Sequence, residues 1–300
     1  SKETIFSRIK YEENHFLADD YRNRDDYSLE EIVEVFAISE DQLMEMRDYS
    51  LSIGIDFAST PFSERETDFL VDDLNAPFIK IASMDLNNYQ FLEYVAQKKK
   101  PLVLSTGLST LSEIDRAIST IESTGNDQLV ILHCVAIYPT TDEKVNLKNI
   151  DTLMQLYPYP IGFSDHTLGT CVPLAAVARG ASLIEKHFTL DKEMFGWDHK
   201  VSANLEDMRI IVRDSKRIHQ ALGSDRIQCV EDEERIEAFR RSIVAARKIK
   251  KGERFDRKML TVKRPGRGLP PEAMSFVLGK VATRDIEYDE LILVQLDLAN

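Results

Sequence analysis

No apolar run in this chain approaches the roughly 18–20 residues needed to span a bilayer, and Ser1-Lys2-Glu3 opens no apolar stretch of signal-peptide type. Cysteines are few and scattered. Cys134, Cys171 and Cys229 show no C-x-x-C spacing, so reduced thiols and a cytoplasmic address are expected. Basic residues are outnumbered, 38 against 51 acids, for a formal charge of −13. A field of that sign repels nucleic acid and anionic membrane, so neither is an expected partner. A phosphorylated ligand would need a local basic cluster. Neither G-x-G-x-x-G nor G-x-x-x-x-G-K-[ST] occurs, which removes the glycine-rich nucleotide cradles. What is present is 300 residues, 43% apolar and 30% charged. That is enough for one large domain with a small companion. A start at Ser1 rather than Met is read as a processed or truncated chain.

Near-continuous apolar runs, the pattern of strands buried on both faces, occur at Ile53–Ser59, Phe78–Ser83, Leu102–Ser105, Leu129–Cys134, Ile161–Ser164 and Ser182–Phe188. Between them lie amphipathic helices with start signals. Thr110-Leu-Ser-Glu113 is a capping box followed by Ile114, Ala117, Ile118 and Ile121 at helical spacing. Ser63, Ser39 and Ser28 open helices in the same way. Alternating β and α units predict a parallel sheet with right-handed crossovers. Nearly every run ends in groups that can ligate or donate: Ser59-Thr60, Lys80 and Ser83, Ser105-Thr106, His133-Cys134, Ser164-Asp165-His166 and Glu185-Lys186-His187. Polar groups at the C-terminal ends of strands are the arrangement of a (β/α)8 TIM-type barrel, whose βα loops build the site. Six units are read where a closed barrel has eight, and residues 1–27 read as a long charged loop. The expected organisation is a barrel over 1–225, a linker over 226–241 containing a helical piece, and a β-rich domain over 242–300. Its β-like runs are Ser242–Ala246, Met259–Val262, Lys280–Ala282 and Leu291–Val294.

His166 and His187 end consecutive strands, about 4.8 Å apart, so their imidazoles can converge. Alone, a histidine there caps its strand. As a pair the two suit a borderline divalent cation such as Mn²⁺, Co²⁺ or Zn²⁺. Lys80, with Lys186 in the next rank, puts positive charge in a barrel mouth, which is costly unless it meets an anion. Thr60, Ser83, Ser105 and Ser164 add hydroxyls, and the ring as a whole suits a phosphate or carboxylate. Alternation sends His133 and Cys134 to opposite faces, so they do not pair as base and nucleophile. An imine-forming Lys80 or Lys186 stays open. Asp198 is a polyol-binding group, a base or a solvated turn acid, and Trp197 covers a sugar face or plugs its loop.

Together, Ser59-Thr-Pro-Phe-Ser63, Lys80-Ile-Ala-Ser83, Leu104-Ser-Thr-Gly107, His133-Cys-Val-Ala-Ile-Tyr-Pro139, Gly162-Phe-Ser-Asp-His-Thr167 and Glu185-Lys-His-Phe-Thr189 resemble the sialic acid synthase family. Val262-Lys-Arg-Pro-Gly266 resembles its C-terminal antifreeze-like (SAF, β-clip-like) domain, and the likeness runs unbroken over roughly 28–300. The resemblance implies a barrel that condenses phosphoenolpyruvate with an open-chain N-acyl-hexosamine, N-acetylmannosamine or a 2,4-diacetamido analogue, to a nonulosonic acid and phosphate. It implies that His166 and His187 hold the cation, Mn²⁺ first with Mg²⁺ or Co²⁺ as alternatives. Thr60, Lys80, Ser83, Ser105 and Ser164 match phosphoenolpyruvate contacts; Asp198 matches the acid beside the reacting sugar carbon. Lys80 and Asp198 are the expected catalytic pair, and Lys186 is grouped with the substrate contacts. Phe239 and Arg264 match acyl-sugar contacts, the arginine arriving from a partner in a domain-swapped homodimer.

The family's E-x-G-x-N-H-x-G and K-x-Q motifs do not occur, so the chain is expected to begin just after the second strand, without the first βαβ segment. A catalytically impaired sugar- or anion-binding homologue is therefore the alternative. Ala136 stands where Asn is frequent, Trp197 where Pro is usual, and Asp85 where Glu is common.

Overall fold

The structure, a computed structural model, describes residues 37–194 and 198–299. The expectations for 1–27, for the Ser28 helix start and for Trp197 lie outside the described residues. The chain divides into two compact units, Ser1–Gly223 and Ser224–Asn300.

In the first unit, helix α1 (Glu40–Ser52) starts at the expected capping box. Gln42 N donates to Ser39 Oγ at 3.2 Å, and Ser39 N donates back to Gln42 Oε1 at 2.9 Å. Residues 53–59, expected as a strand, form none. One long backbone bond, Lys80 N to Ser59 O at 3.5 Å, ties the segment to the strand beside it, and Ile53 and Ile55 stay exposed. A ladder needs repeated pairs of such bonds.

Five strands then follow in strict order: β1 (Ile79–Ile81), β2 (Leu102–Ser105), β3 (Leu129–Cys134), β4 (Ile161–Asp165) and β5 (Ile184–Lys186). All adjacent pairs are parallel. The crossovers carry α2 (Tyr89–Gln97), α3 (Leu111–Ser123), α4 (Lys148–Leu156) and α5 (Cys171–Ala178); α6 (Leu205–Leu222) follows β5. Ile114, Ala117, Ile118 and Ile121 of α3 are buried, and its capping box closes with Thr110 N donating to Glu113 Oε2 at 2.7 Å.

Register shows two faces. Ile79, Ile81, Leu102, Leu104, Leu129, Ile131, Ile161 and Phe163 point outward into one core with Leu92, Ile121 and Ile150 of the helices. Their alternates point inward. Lys80 Nζ on β1 lies 3.5 Å from Glu185 Oε2 on β5. Four flat spacings of about 4.8 Å would hold those strands roughly 19 Å apart, further than two side chains can bridge. The sheet is therefore curled into the wall of a (β/α) barrel, as expected.

The second unit has its own core, including Ile243, Ala245, Phe255, Leu260, Val277, Ile286 and Ile292. Helix α7 (Glu233–Phe239) precedes an antiparallel pair, β6 (Ser242–Ala245) with β7 (Leu260–Lys263), and a second pair, β8 (Val281–Ala282) with β9 (Leu298–Ala299). The expected strand at Leu291–Val294 is reduced to a bridge between Leu291 and Val244. The chain then turns into a short helix, Val294–Asp297, whose Asp297 Oδ2 accepts from Leu293 N at 2.7 Å.

Candidate active site

The inward row of the curled sheet gathers most of the expected residues. Lys80 Nζ donates to Ser105 Oγ at 2.8 Å and to the Ile81 carbonyl at 3.0 Å, and pairs with Glu185. Glu185 also accepts from Ser164 Oγ at 2.8 Å. Ser83 Oγ accepts from Gly107 N at 3.1 Å and lies 3.5 Å from Cys134 Sγ. A Cβ at Gly107 would sit 2.7 Å from Ser83 Oγ, so glycine is what lets this backbone N–H approach. Thr60 follows Ser59, whose carbonyl meets Lys80 N. One lysine, its carboxylate partner, three serines and a backbone N–H thus share one end of the barrel. An incoming anion would compete with Glu185 for Lys80.

One step further toward the strand ends come the imidazoles. The His166 and His187 ring centres are 5.4 Å apart with planes inclined at 48°. The Tyr138 ring lies 4.2 Å from His166 and 5.9 Å from His187. His166 Nδ1 is 2.9 Å from the Val135 carbonyl. A carbonyl only accepts, so Nδ1 carries the proton and Nε2 keeps its lone pair. Burial holds the His166 pKa below the ordinary imidazole value, with the Val135 bond opposing and His187 reinforcing it. Burial also pushes the Tyr138 hydroxyl up to about 12, helped by Cys134, Asp198 and Glu185. Asp198 Oδ2 stands 4.0 Å from His187 Nδ1.

Among the described residues no three His, Cys, Asp or Glu side chains are grouped as a metal cage. The imidazole pair fits an open site instead. With metal–nitrogen bonds of about 2.1 Å, two imidazoles at a tetrahedral angle bring their ring centres to roughly 5–5.5 Å. A neutral His166 with a fixed tautomer is the ligating form.

Lys186 is not part of this cluster. Its Nζ pairs with Asp165 Oδ2 at 2.8 Å, both side chains fully enclosed. It lines a cavity with Val177, Ile184, Met208 and Ile211 under α5 and α6. The alternation that turns Glu185 and His187 inward turns Lys186 outward, so its place among the substrate contacts is corrected. His133 likewise faces out, its Nε2 2.6 Å from the Val145 carbonyl, and Cys134 faces in beside Ser83. Phe239 and Arg264 belong to the second unit, where the Arg264 guanidinium lies 4.9 Å and that of Arg235 5.0 Å from the Phe239 ring centre. The sequence places Glu185 only among the groups at strand ends and gives no role to Tyr138. Glu185 could have been found by alternation from His187. Tyr138 sits in an irregular loop, where no periodicity marks it.

A model described as the NeuB family matches residues 2–226, and an SAF domain model matches 240–294. The chain is 38% identical over 254 residues to N,N'-diacetyllegionaminic acid synthase of Legionella pneumophila, covering 83% of this chain and 71% of that one. It is 35% identical over 261 residues to N-acetylneuraminate-9-phosphate synthase of Homo sapiens, covering 86% and 72%. The solved N-acetylneuraminic acid synthetase of Leptospira borgpetersenii, in complex with citrate, aligns with a TM-score of 0.63 at 33% identity, over 66% of this chain and 69% of that chain. With a family match over most of its length and relatives at these identities, the chain belongs to the NeuB family of sialic-acid-type synthases and carries a C-terminal SAF domain.

Proposed function

We propose that this chain condenses phosphoenolpyruvate with an open-chain N-acyl-hexosamine, giving a nonulosonic acid and phosphate. The observation that carries the reading is the His166–His187 pair, ring centres 5.4 Å apart, set one step above the Lys80–Ser105 anion seat.

In this reading Lys80, Ser83, Ser105, Ser164 and Thr60 hold the phosphate and carboxylate of phosphoenolpyruvate, and Glu185 balances Lys80 until that anion arrives. Asp198 engages the sugar next to its reacting carbon, and Tyr138, kept protonated, offers a hydroxyl beside the imidazoles. A divalent cation bound by His166 and His187, Mn²⁺ in the first instance, supplies Lewis-acid polarisation of the sugar aldehyde. The C3 carbon of phosphoenolpyruvate forms a bond to that carbonyl carbon, whose oxygen takes up a proton. Water adds at C2, and the tetrahedral intermediate expels phosphate, so carbon, oxygen and phosphorus all balance. The reading extends to a domain-swapped homodimer in which Arg264 and Phe239 contact the acyl-sugar in a partner's barrel, and to a cytoplasmic setting. No helix among the described residues is long and apolar enough to cross a membrane.

The test is phosphate release by the chain supplied with Mn²⁺. Release should require both phosphoenolpyruvate and N-acetylmannosamine or its 2,4-diacetamido analogue, stop with chelator, and fall at least about 100-fold in His187→Ala. Release that persists in His187→Ala with chelator present contradicts the reading. Phosphoenolpyruvate binding without turnover would instead support the impaired binding homologue.

A further inference from the structure

We propose that the buried Asp165–Lys186 ion pair is a positioning device that fixes the separation of His166 and His187, and with it the affinity of the site for a divalent cation. The inference rests on the imidazole pair being the cation site.

Asp165 and Lys186 are direct register partners across β4 and β5. Each immediately precedes one of the two histidines. Lys186 Nζ lies 2.8 Å from Asp165 Oδ2, with the side chains 2% and 0% exposed. The other carboxylate oxygen, Oδ1, accepts from Thr167 N at 2.9 Å and Thr167 Oγ1 at 2.8 Å. Lys186 Nζ also donates to the Thr167 carbonyl. His166 is therefore held between two residues tied into one network, and the lysine of that network sits on the strand that bears His187.

The ladder to β4 and the Glu185 contacts with Ser164 and Lys80 also hold that strand, but its outward-facing tie to β4 is the Lys186 pair. β5 is three residues long and only partly buried throughout. Beyond it, Phe188 bridges Ala203, whose N–H donates to the His187 carbonyl at 2.7 Å and whose carbonyl accepts from Thr189 N at 2.9 Å. A shift of β5 along β4 would carry His187 away from His166, and the ion pair opposes such a shift. The pair faces the outer layer, away from Lys80 and the anion seat, so it takes no part in holding substrate. Stability does not account for it either, because desolvating two charges roughly cancels their attraction, and apolar replacement of both is often neutral or favourable. Fixing register is the better-attested use of a buried polar pair. Groups that orient metal-ligating histidines without touching the ion commonly change metal affinity by about 10- to 100-fold when removed.

The experiment is calorimetric titration of the intact chain with Mn²⁺ alone, with no phosphoenolpyruvate or sugar present. Asp165→Leu/Lys186→Met removes both charges and leaves no unpaired ion. It should keep its circular dichroism and cooperative unfolding while Mn²⁺ affinity falls about 10- to 100-fold. Thr167→Val, nearly isosteric, deletes one bond to Asp165 and should weaken binding by about 3- to 10-fold. His187→Ala should show no saturable binding. If His187→Ala binds Mn²⁺ like the unsubstituted chain, the cation site itself is misplaced. If His187→Ala loses binding while the double variant and Thr167→Val retain full affinity, the positioning role is overturned. Should the double variant fail to fold, Thr167→Val decides.

Discussion

Burial decides the charge of the imidazole on the outer face of β3. His133 is 5% exposed, and that burial holds its pKa below the ordinary value, with the Val145 carbonyl bond working against the shift. The unfolded chain therefore binds a proton at higher pH than the native chain does. Between the depressed native value and the ordinary value of about 6.5, stability must rise with pH. Acidification from pH 7 toward pH 5 should lower the thermal midpoint, and His133→Gln should show a shallower fall from whatever midpoint it has at pH 7. Parallel slopes for the two proteins would contradict the assignment. Asp214 differs in its window: Arg213, with Arg217 behind it, holds its carboxyl down at about 2, so its loss belongs to far more acidic solutions. At this scale the sequence is legible wherever alternation is the only rule in force. His133 and Cys134 separate as expected, and His166 and His187 converge. Lys186 shows the limit, since a lysine in a polar motif reads as a ligand group, and only strict alternation, together with the buried Asp165 beside it, shows that it faces the other way.

β4 depends on a missing side chain. A Cβ on Gly162 would lie 2.5 Å from Leu132 Cδ2 and 2.6 Å from the Leu183 carbonyl oxygen. The second contact is backbone of the adjoining segment, which cannot rotate away. Gly162→Ala should thus destabilise the chain by about 1–3 kcal/mol through overpacking, read as a lower denaturation midpoint at unchanged slope. A change below about 0.5 kcal/mol would mean that the interior of the curled sheet is looser than described. Elements with a dense apolar run and a neighbour on each side, such as Leu129–Cys134, could be read from the residues alone. The segment 53–59 could not. Its composition is strand-like, but among the described residues it has one long backbone bond to β1, and propensity without a ladder makes no strand. Leu291–Val294 keeps backbone bonds between Ile292 and both Ile243 and Leu269, but Asp297 takes the Leu293 N–H and the pairing extends no further.

At the scale of the molecule, each compact unit has a main apolar core of its own among the described residues, and each unit matches its own family model. In the sequence the character changes after residue 222, from long crossovers to short runs with turn chemistry. The candidate site was suggested by the residues for a different reason. A chain of formal charge −13 keeps one lysine, Lys80, at the interior end of its barrel, paired to a carboxylate and surrounded by hydroxyls. That seat is expensive to maintain in the absence of an anion. What the residues could not convey was the balancing role of Glu185, which depends on a curl that brings the first and fifth strands together.

The most direct measurement follows the carbon itself. Phosphoenolpyruvate labelled with ¹³C at C3 is incubated with the chain, Mn²⁺ and an N-acyl-hexosamine, and observed by NMR. The labelled vinyl carbon should become a methylene bonded to the former aldehyde carbon of the sugar, with one phosphate released for each bond made. Labelled pyruvate as the sole product, or phosphate released with no new carbon–carbon bond, would contradict the proposed condensation.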